Sequence, residues 1–374
     1  MMRSALIILA FVAALALLWT GWRYWPVSGD APPQEAIAVT ALGSPSGRNL
    51  IGVEPTLHQS DYRASTALQS RLATYLDAAR DEGAIVPGSV VIFPEHAGTW
   101  LVASGAPASA FSARTVDSAM ISLAAAHPLS FASALIGSDE DDRLAAALFR
   151  MRSATMARDY QSVFSGLARE YGVTIVAGST VLADPFVEDG EIRVRRDGPL
   201  YNVTAVFGPD GAPHPQLVRK AYPIPSEAGF TASAPLDGYP LFDTPAGQLG
   251  VLICADSWHP DVYAALGDAE LLAVPAYLQP SGVWDEPWGG YVTPWPDDVA
   301  RGDAGRLTEG EAWQTHALAG RLSSTQALAG MTAFLGGTLW DMGSDGRAIA
   351  VTREGASLTP EHEGGRVVVL WVGD

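Results

Sequence analysis

Three ionisable side chains stand at or near the ends of apolar runs, and each is a type that acyl-transfer chemistry uses. Cys254 closes the run Gly250-Val251-Leu252-Ile253 and is followed by Ala255-Asp256-Ser257-Trp258-His259-Pro260. It is the only cysteine, so no intrachain disulfide can form. A cysteine where a strand runs into a helix start gains from the helix N-terminus, which lowers the thiol pKa and favours the nucleophilic thiolate. Glu95 ends the run Val90-Val91-Ile92-Phe93-Pro94, so a buried strand delivers a carboxylate at its C-terminal end. Lys220 lies in Leu217-Val218-Arg219-Lys220-Ala221-Tyr222-Pro223 and is the only lysine; every other cationic side chain is an arginine. Arginine cannot stand in for a compact ammonium where a point charge must sit close to a reacting atom.

Each residue also has a plainer reading. A lone cysteine in an apolar strand suits a core position. Glu95 suits a cap or surface carboxylate, and a single lysine suits compositional drift. Asp256 reads as a structural hydrogen-bonding residue. His96 and His259 flank the motifs and offer a Cys–His hydrolase as a rival. That rival lacks a papain-like signature around the cysteine and leaves the strand-borne glutamate and the lysine without a role.

The elements that must position these groups alternate along the chain, which predicts an α/β fold. Strands are expected over residues 36–42, 89–94, 173–178, 201–207, 216–221, 249–254, 270–274, 332–340, 348–352 and 366–372. Helical patterns cover 65–82, 142–171, 260–266 and 309–329. Two stretches break the rhythm. Residues 96–141 form a long excursion with an apolar patch at 119–126. Residues 278–303 form a loop broken by proline and glycine that holds Trp284, Trp288 and Trp295. Trp284 and Trp288 are candidate substrate-binding residues on a pocket rim; a structural plug is the alternative.

The 374 residues include 48% hydrophobic and 9% aromatic side chains, which excludes a disordered chain. The net charge of −18 repels phosphate backbones and argues against nucleic acid as a partner. No CxxC or histidine-rich cluster suggests a metal, and no cofactor is expected. Residues 4–22 carry no charge and would span roughly 28 Å as a helix, close to the hydrocarbon thickness of a bilayer. Trp19, Trp22, Tyr24 and Trp25 cluster at the far end like an interfacial belt. Residues 1–30 are therefore expected to be a single-pass anchor and linker, uncleaved, with the domain 31–374 on the extracytoplasmic side.

The ordered set Glu95, Lys220, Cys254, with the flanks Val176-Ala177-Gly178-Ser179, Tyr201-Asn202, Gly208-Pro209-Asp210-Gly211 and Leu271-Leu272-Ala273-Val274-Pro275, resembles the nitrilase, or carbon–nitrogen hydrolase, superfamily. The resemblance runs across most of residues 36–372. It implies a four-layer α-β-β-α sandwich, preceded here by one transmembrane helix, and a homo-oligomer. It also implies a second carboxylate shortly after the lysine, a place that Glu227 fits.

On that resemblance Cys254 attacks, Glu95 is the general base and then the acid, and Glu227 holds Lys220 charged and aimed. Lys220 and the backbone N–H of Ala255 stabilise the oxyanion. The expected activity is hydrolysis of a linear amide through a cysteine thioester, with a small amide or acyl compound as substrate. The anchor adds some likeness to apolipoprotein N-acyltransferase, which passes an acyl group through the same kind of thioester to an amine. That enzyme has several membrane helices where this chain has one. A non-catalytic binding module on the same fold is the third reading.

Overall fold

The computed structural model describes residues 2–24, 36–360 and 364–373, with the backbone alone over residues 2–11. The linker at residues 30–34, the boundary between residues 30 and 31, and Trp25 lie outside the described residues.

Two six-stranded mixed sheets form the centre. The first runs Ala38–Leu42, Arg366–Trp371, Arg48–Glu54, Gly88–Ile92, Thr174–Val176, Val206–Phe207 across its width. The second runs Leu241–Thr244, Gly247–Val251, Leu271–Ala276, Ala329–Phe334, Ile349–Thr352, Gly355–Leu358. The strands that lead to Glu95 and Cys254 both have parallel neighbours, Arg48–Glu54 and Leu271–Ala276 respectively.

Alternation along the strands sets the layers, because successive side chains leave a strand on opposite faces. In the first sheet Leu50, Val90, Ile92, Val368 and Leu370 face the second sheet and share its core. Ile51, Val53, Val91, Val367 and Val369 face the other way, into the core beneath the helices Ser65–Asp81 and Arg143–Tyr171. Both faces are therefore buried, and the strands read as nearly continuous apolar runs. The sheets meet closely where Gly52 passes Met331; a Cβ on Gly52 would lie 3.0 Å from the Met331 sulfur. The helices Pro260–Leu266 and Glu309–His316 cover the far side of the second sheet through Val262, Leu266, Ala312 and Trp313. The result is a mixed α/β fold with the two sheets held between two layers of helices.

The long helix Arg143–Tyr171 starts where the Asp142 side chain accepts from Ala145 N at 3.0 Å and stops at Gly172, whose φ is +64°. Its start and end, and those of Ser65–Asp81 and Pro260–Leu266, agree with the sequence expectation to within a residue. Three expectations change. The strand Arg48–Glu54 sits at the middle of the first sheet without having been expected. The helical pattern over 309–329 breaks into Glu309–His316, Leu318–Arg321 and a 3-10 turn before the strand Ala329–Phe334 begins. Segment 96–141 is not a loop: it folds into Ala108–Phe111, Val116–Ala126 and Pro128–Ile136.

The apolar N-terminus forms the helix Met2–Arg23. Among the described residues no single helix is long and apolar enough to cross a membrane. Val116–Ala126 and Pro128–Ile136, which meet at 105°, pass that criterion as a pair.

Candidate active site

Glu95, Lys220, Glu227 and Cys254 come together from four different parts of the chain. Glu95 lies just beyond the strand Gly88–Ile92. Lys220 follows the short strand Val218–Arg219. Glu227 sits in the turn Pro225–Ala228, and Cys254 opens the 3-10 turn Cys254–Trp258 after Gly247–Val251. All four are buried, Lys220 completely.

The ammonium of Lys220 donates to Glu95 Oε1 at 2.7 Å and to Glu227 Oε2 at 2.5 Å. Two carboxylates therefore flank one cation and use two of its three N–H donors. Burial alone would push the Lys220 pKa down, but Glu227 and Glu95 more than offset it and hold the ammonium well above its ordinary range. For Glu227 burial works upward, and Lys220 and His96 overcome it, so the carboxylate stays below its ordinary value. Both groups are thus charged in the folded protein at neutral pH.

The Cys254 thiol donates to the Tyr277 carbonyl at 3.7 Å, and Glu95 lies close enough to act on it electrostatically. Its pKa is pushed well above the ordinary value, first by burial and then by Glu95, against the pull of Lys220. This corrects the expectation of a thiol acidified by a helix start. The turn after Cys254 is a five-residue 3-10 segment and the α-helix begins only at Pro260. At rest Cys254 is a neutral thiol, a weak nucleophile without a base, and the nearby Glu95 carboxylate acts on it electrostatically. The first bond of the 3-10 turn runs from Asp256 N to Ile253 O at 3.0 Å. The Cys254 and Ala255 amides precede it and have no partner within the turn.

Backbone strain falls at Cys254 and beside Glu95. Cys254 has φ +49° and His96, next to Glu95, has φ +62°. Each costs ~1–3 kcal/mol for a residue with a side chain and is held by its surroundings. For the Glu95 loop those surroundings are visible. His96 N donates to Ser179 Oγ at 2.9 Å. Gly178 has φ +66°, and a Cβ there would lie 2.2 Å from the Pro94 carbonyl oxygen.

Asn202 was not singled out for a role by its sequence. Its amide donates to Glu95 Oε1 at 2.9 Å and Glu227 Oε1 at 2.6 Å, so it ties the two carboxylates together, sharing Glu95 Oε1 with Lys220 and taking the Glu227 oxygen that the lysine leaves. Asp256 accepts from Ala221 N at 3.0 Å and Tyr222 N at 2.8 Å, which fixes the chain after Lys220. That is the structural role expected of it. Of the two flanking histidines, His96 faces Glu227 and His259 packs elsewhere. His96 Nδ1 meets Thr99 Oγ1 at 2.9 Å and its Nε2 lies 3.5 Å from Glu227. His259 stacks on Tyr222 with ring centres 3.6 Å apart and bonds Thr293. Burial pushes His259 down to about 4, so its ring is neutral at pH 7.

Ligand atoms of Glu95, His96 and Glu227 lie within 4.8 Å of one another, the spacing of a cation site. Lys220 already bridges the two carboxylates and supplies the positive charge that a metal would bring there.

Trp284 and Trp288 do not stand on an open rim. Each is 3% exposed. Trp284 meets Phe334 edge-on and lies under Gly310, whose Cβ would be 2.3 Å from the indole. Trp288 is enclosed by Trp258, Tyr291, Trp295 and His316. An open cleft of about 440 Å³ lies nearby, walled in part by Ala221, Tyr222, Pro223, Val292, Thr293 and Pro294. Its wall begins at the residue after Lys220.

The sequence profile of the family described as Carbon-nitrogen hydrolase matches residues 59–289. The chain is 30% identical over 117 residues to the probable hydrolase YhcX of Bacillus subtilis (strain 168), which covers 31% of this chain and 20% of that protein. It is 39% identical over 77 residues to the omega-amidase NIT2 of Bos taurus, covering 19% of this chain and 28% of that one. The chain thus spans less than a third of the length of either relative. An amidase structure from Nesterenkonia sp. superposes with a TM-score of 0.52 at 15% identity, covering 87% of this chain and 89% of that one, which speaks to the fold. The matched profile takes in Glu95, Lys220, Glu227 and Cys254 and more than half of the sequence, and the chain belongs to the carbon–nitrogen hydrolase family of the nitrilase superfamily.

Proposed function

We propose that this protein is an amidase that cleaves a linear, non-peptide amide through a thioester on Cys254. The observation that carries the reading is the buried contact of Lys220 with both Glu95 and Glu227 beside the only thiol. Burying one cation and two carboxylates is costly unless they serve one another, and here they also face a nucleophile.

Glu95 takes the thiol proton as Cys254 Sγ bonds to the carbonyl carbon. The carbonyl oxygen becomes negative and is held by the free N–H of Lys220 and the amide of Ala255. The C–N bond then breaks, and the amine leaves with the proton from Glu95. Water, deprotonated by Glu95, attacks the thioester; the acid departs and the proton returns to Cys254. Glu227 and Asn202 keep Lys220 and Glu95 in place throughout.

We further infer that the uncharged run at residues 4–22 holds the domain at a membrane, on its extracytoplasmic side. The inference rests on the sequence, since no single described helix meets the length and hydropathy of a span. The same run favours a second reading, in which a membrane-borne acyl group passes from Cys254 to an amine instead of to water.

Mass spectrometry of the protein during turnover of a slow amide tests the mechanism. An acyl adduct on Cys254, absent in a folded but inactive Cys254→Ala variant, is expected. An adduct on another residue, or turnover by the variant, overturns it. Adding an amine acceptor separates the two readings: an amidase releases chiefly the acid, and a transferase chiefly the new amide.

A further inference from the structure

The helical pair Val116–Ala126 and Pro128–Ile136 leaves an apolar surface uncovered. Ile121, Leu129 and Ile136 are 69%, 85% and 83% exposed. None of the residues in Pro128–Ile136 is buried, although its sequence is PLSFASALI. Residues 118–138 contain no Asp, Glu, Lys or Arg. A soluble surface helix normally turns a charged face to water, and this one has none to turn. Two serines of this stretch turn back to the backbone: Ser122 Oγ donates to Ser118 O and Ser138 Oγ to Ala134 O. That is the way hydroxyls are satisfied where no water is at hand.

The neighbour of this surface identifies what covers it. Trp19 Nε1 in the N-terminal helix donates to Ala125 O at 3.1 Å, and Arg23 Nη2 lies 3.5 Å from His127 Nδ1. The Arg23 guanidinium also sits over the rings of Trp19 and Tyr24, at 5.2 and 5.4 Å. Trp, Tyr and Arg gathered at the end of an apolar helix mark the level of the lipid headgroups. The elbow between the two helices is fastened at that level. His127 is held below its ordinary pKa by burial and by Arg152 and Arg23, so it joins the belt as a neutral ring.

We propose that residues 116–136 form an interfacial hairpin that beds its exposed apolar side chains in the same membrane leaflet as the N-terminal helix. The proposal extends the anchoring inference to a second contact. It binds lipid through Ile121, Leu129 and Ile136, with acyl chains as the ligand, and involves no specific headgroup. The hairpin lies in the chain between Glu95 and the long helix Arg143–Tyr171. A membrane contact here would hold the domain in one orientation, where a single helix and linker would leave it free to swivel.

The test uses the full chain in vesicles of phosphatidylcholine and phosphatidylglycerol. In a Cys254→Ala background, single substitutions Leu129→Cys, Ile136→Cys, Leu15→Cys and Glu354→Cys each carry an environment-sensitive fluorophore. All four sites are exposed, so the labels do not disturb a core. Labels at 129 and 136 should shift to the blue, lose at least half their emission to nitroxides on the lipid chains, and resist aqueous iodide. The label at 354 should do the reverse. The label at 15 reports the anchor separately. Lipid quenching at 15 with aqueous behaviour at 129 and 136 overturns the hairpin and leaves the anchor standing. Quenching at 129 and 136 without quenching at 15 supports the hairpin and removes the anchor. A blue shift at 129 and 136 with no lipid quenching means that a second copy of the chain covers the surface, and it overturns the proposal.

Discussion

Lys220 Nζ lies 2.7 Å from Glu95 Oε1, so the cation proposed to receive the oxyanion is already hydrogen-bonded to the proposed general base. One group therefore cannot be altered without displacing the other. The contact also explains why the lysine survives in a chain whose other cations are all arginines. The site is fully closed around it, and a planar guanidinium needs more room than an ammonium and presents its donors in a fixed fork.

Lys220→Arg should lower kcat by about 100-fold or more, the scale of losing one oxyanion donor. The thermal midpoint and far-ultraviolet circular dichroism are measured beside it. A folded variant with a near-normal rate would mean that Lys220 only balances the charge of the carboxylates.

What could be read from the sequence was chemistry at the ends of apolar runs. Glu95, Lys220 and Cys254 stood out because each interrupts or follows a hydrophobic stretch, and the structure brings them together with Glu227. Asn202 did not, because one amide within a strand changes neither periodicity nor charge. The strand Arg48–Glu54 was hidden by Asn49 and Gly52, which break its apolar run. The fold explains both: Asn49 is buried and donates to Ala84 O, and Gly52 makes room for Met331. The direction of the thiol pKa was misjudged because it depends on burial and on Glu95, neither of which follows from the motif around Cys254. Segment 96–141 showed its apolar patch but not its helices, since residues 118–138, rich in Ala and Ser and free of Asp, Glu, Lys and Arg, have no charged face to give a period.

His259 should make the protein acid-sensitive. Its folded pKa is pushed down to about 4 from an ordinary 6.5, chiefly by burial. Between those values the unfolded chain binds a proton that the folded ring refuses. The contribution is therefore fully present above pH 6.5 and is lost as pH falls toward 4, on the order of 3 kcal/mol in total. Calorimetry across that range should show a shallower acid limb for His259→Gln than for the unmodified protein. Equal slopes would mean that the His259 ring takes up its proton without unfolding.

The tryptophans of segment 278–303 give the last prediction. Trp288 packs face to face with Trp258 at a ring separation of 5.7 Å, and Trp258 closes the 3-10 turn that Cys254 opens. Trp288 thus supports the nucleophile's turn through the ring at the end of that turn. Trp288→Ala would leave a cavity among Trp258, Tyr291, Trp295 and His316, at ~3–5 kcal/mol, the usual range for deleting a buried tryptophan. The expected result is a much lower thermal midpoint, with the relative kcat/KM among acyl chain lengths preserved in the protein that remains folded. Trp288→Phe should recover most of the stability, because it refills part of the volume. A shifted chain-length preference at an unchanged midpoint would return Trp288 to the pocket wall and make the segment part of the substrate site.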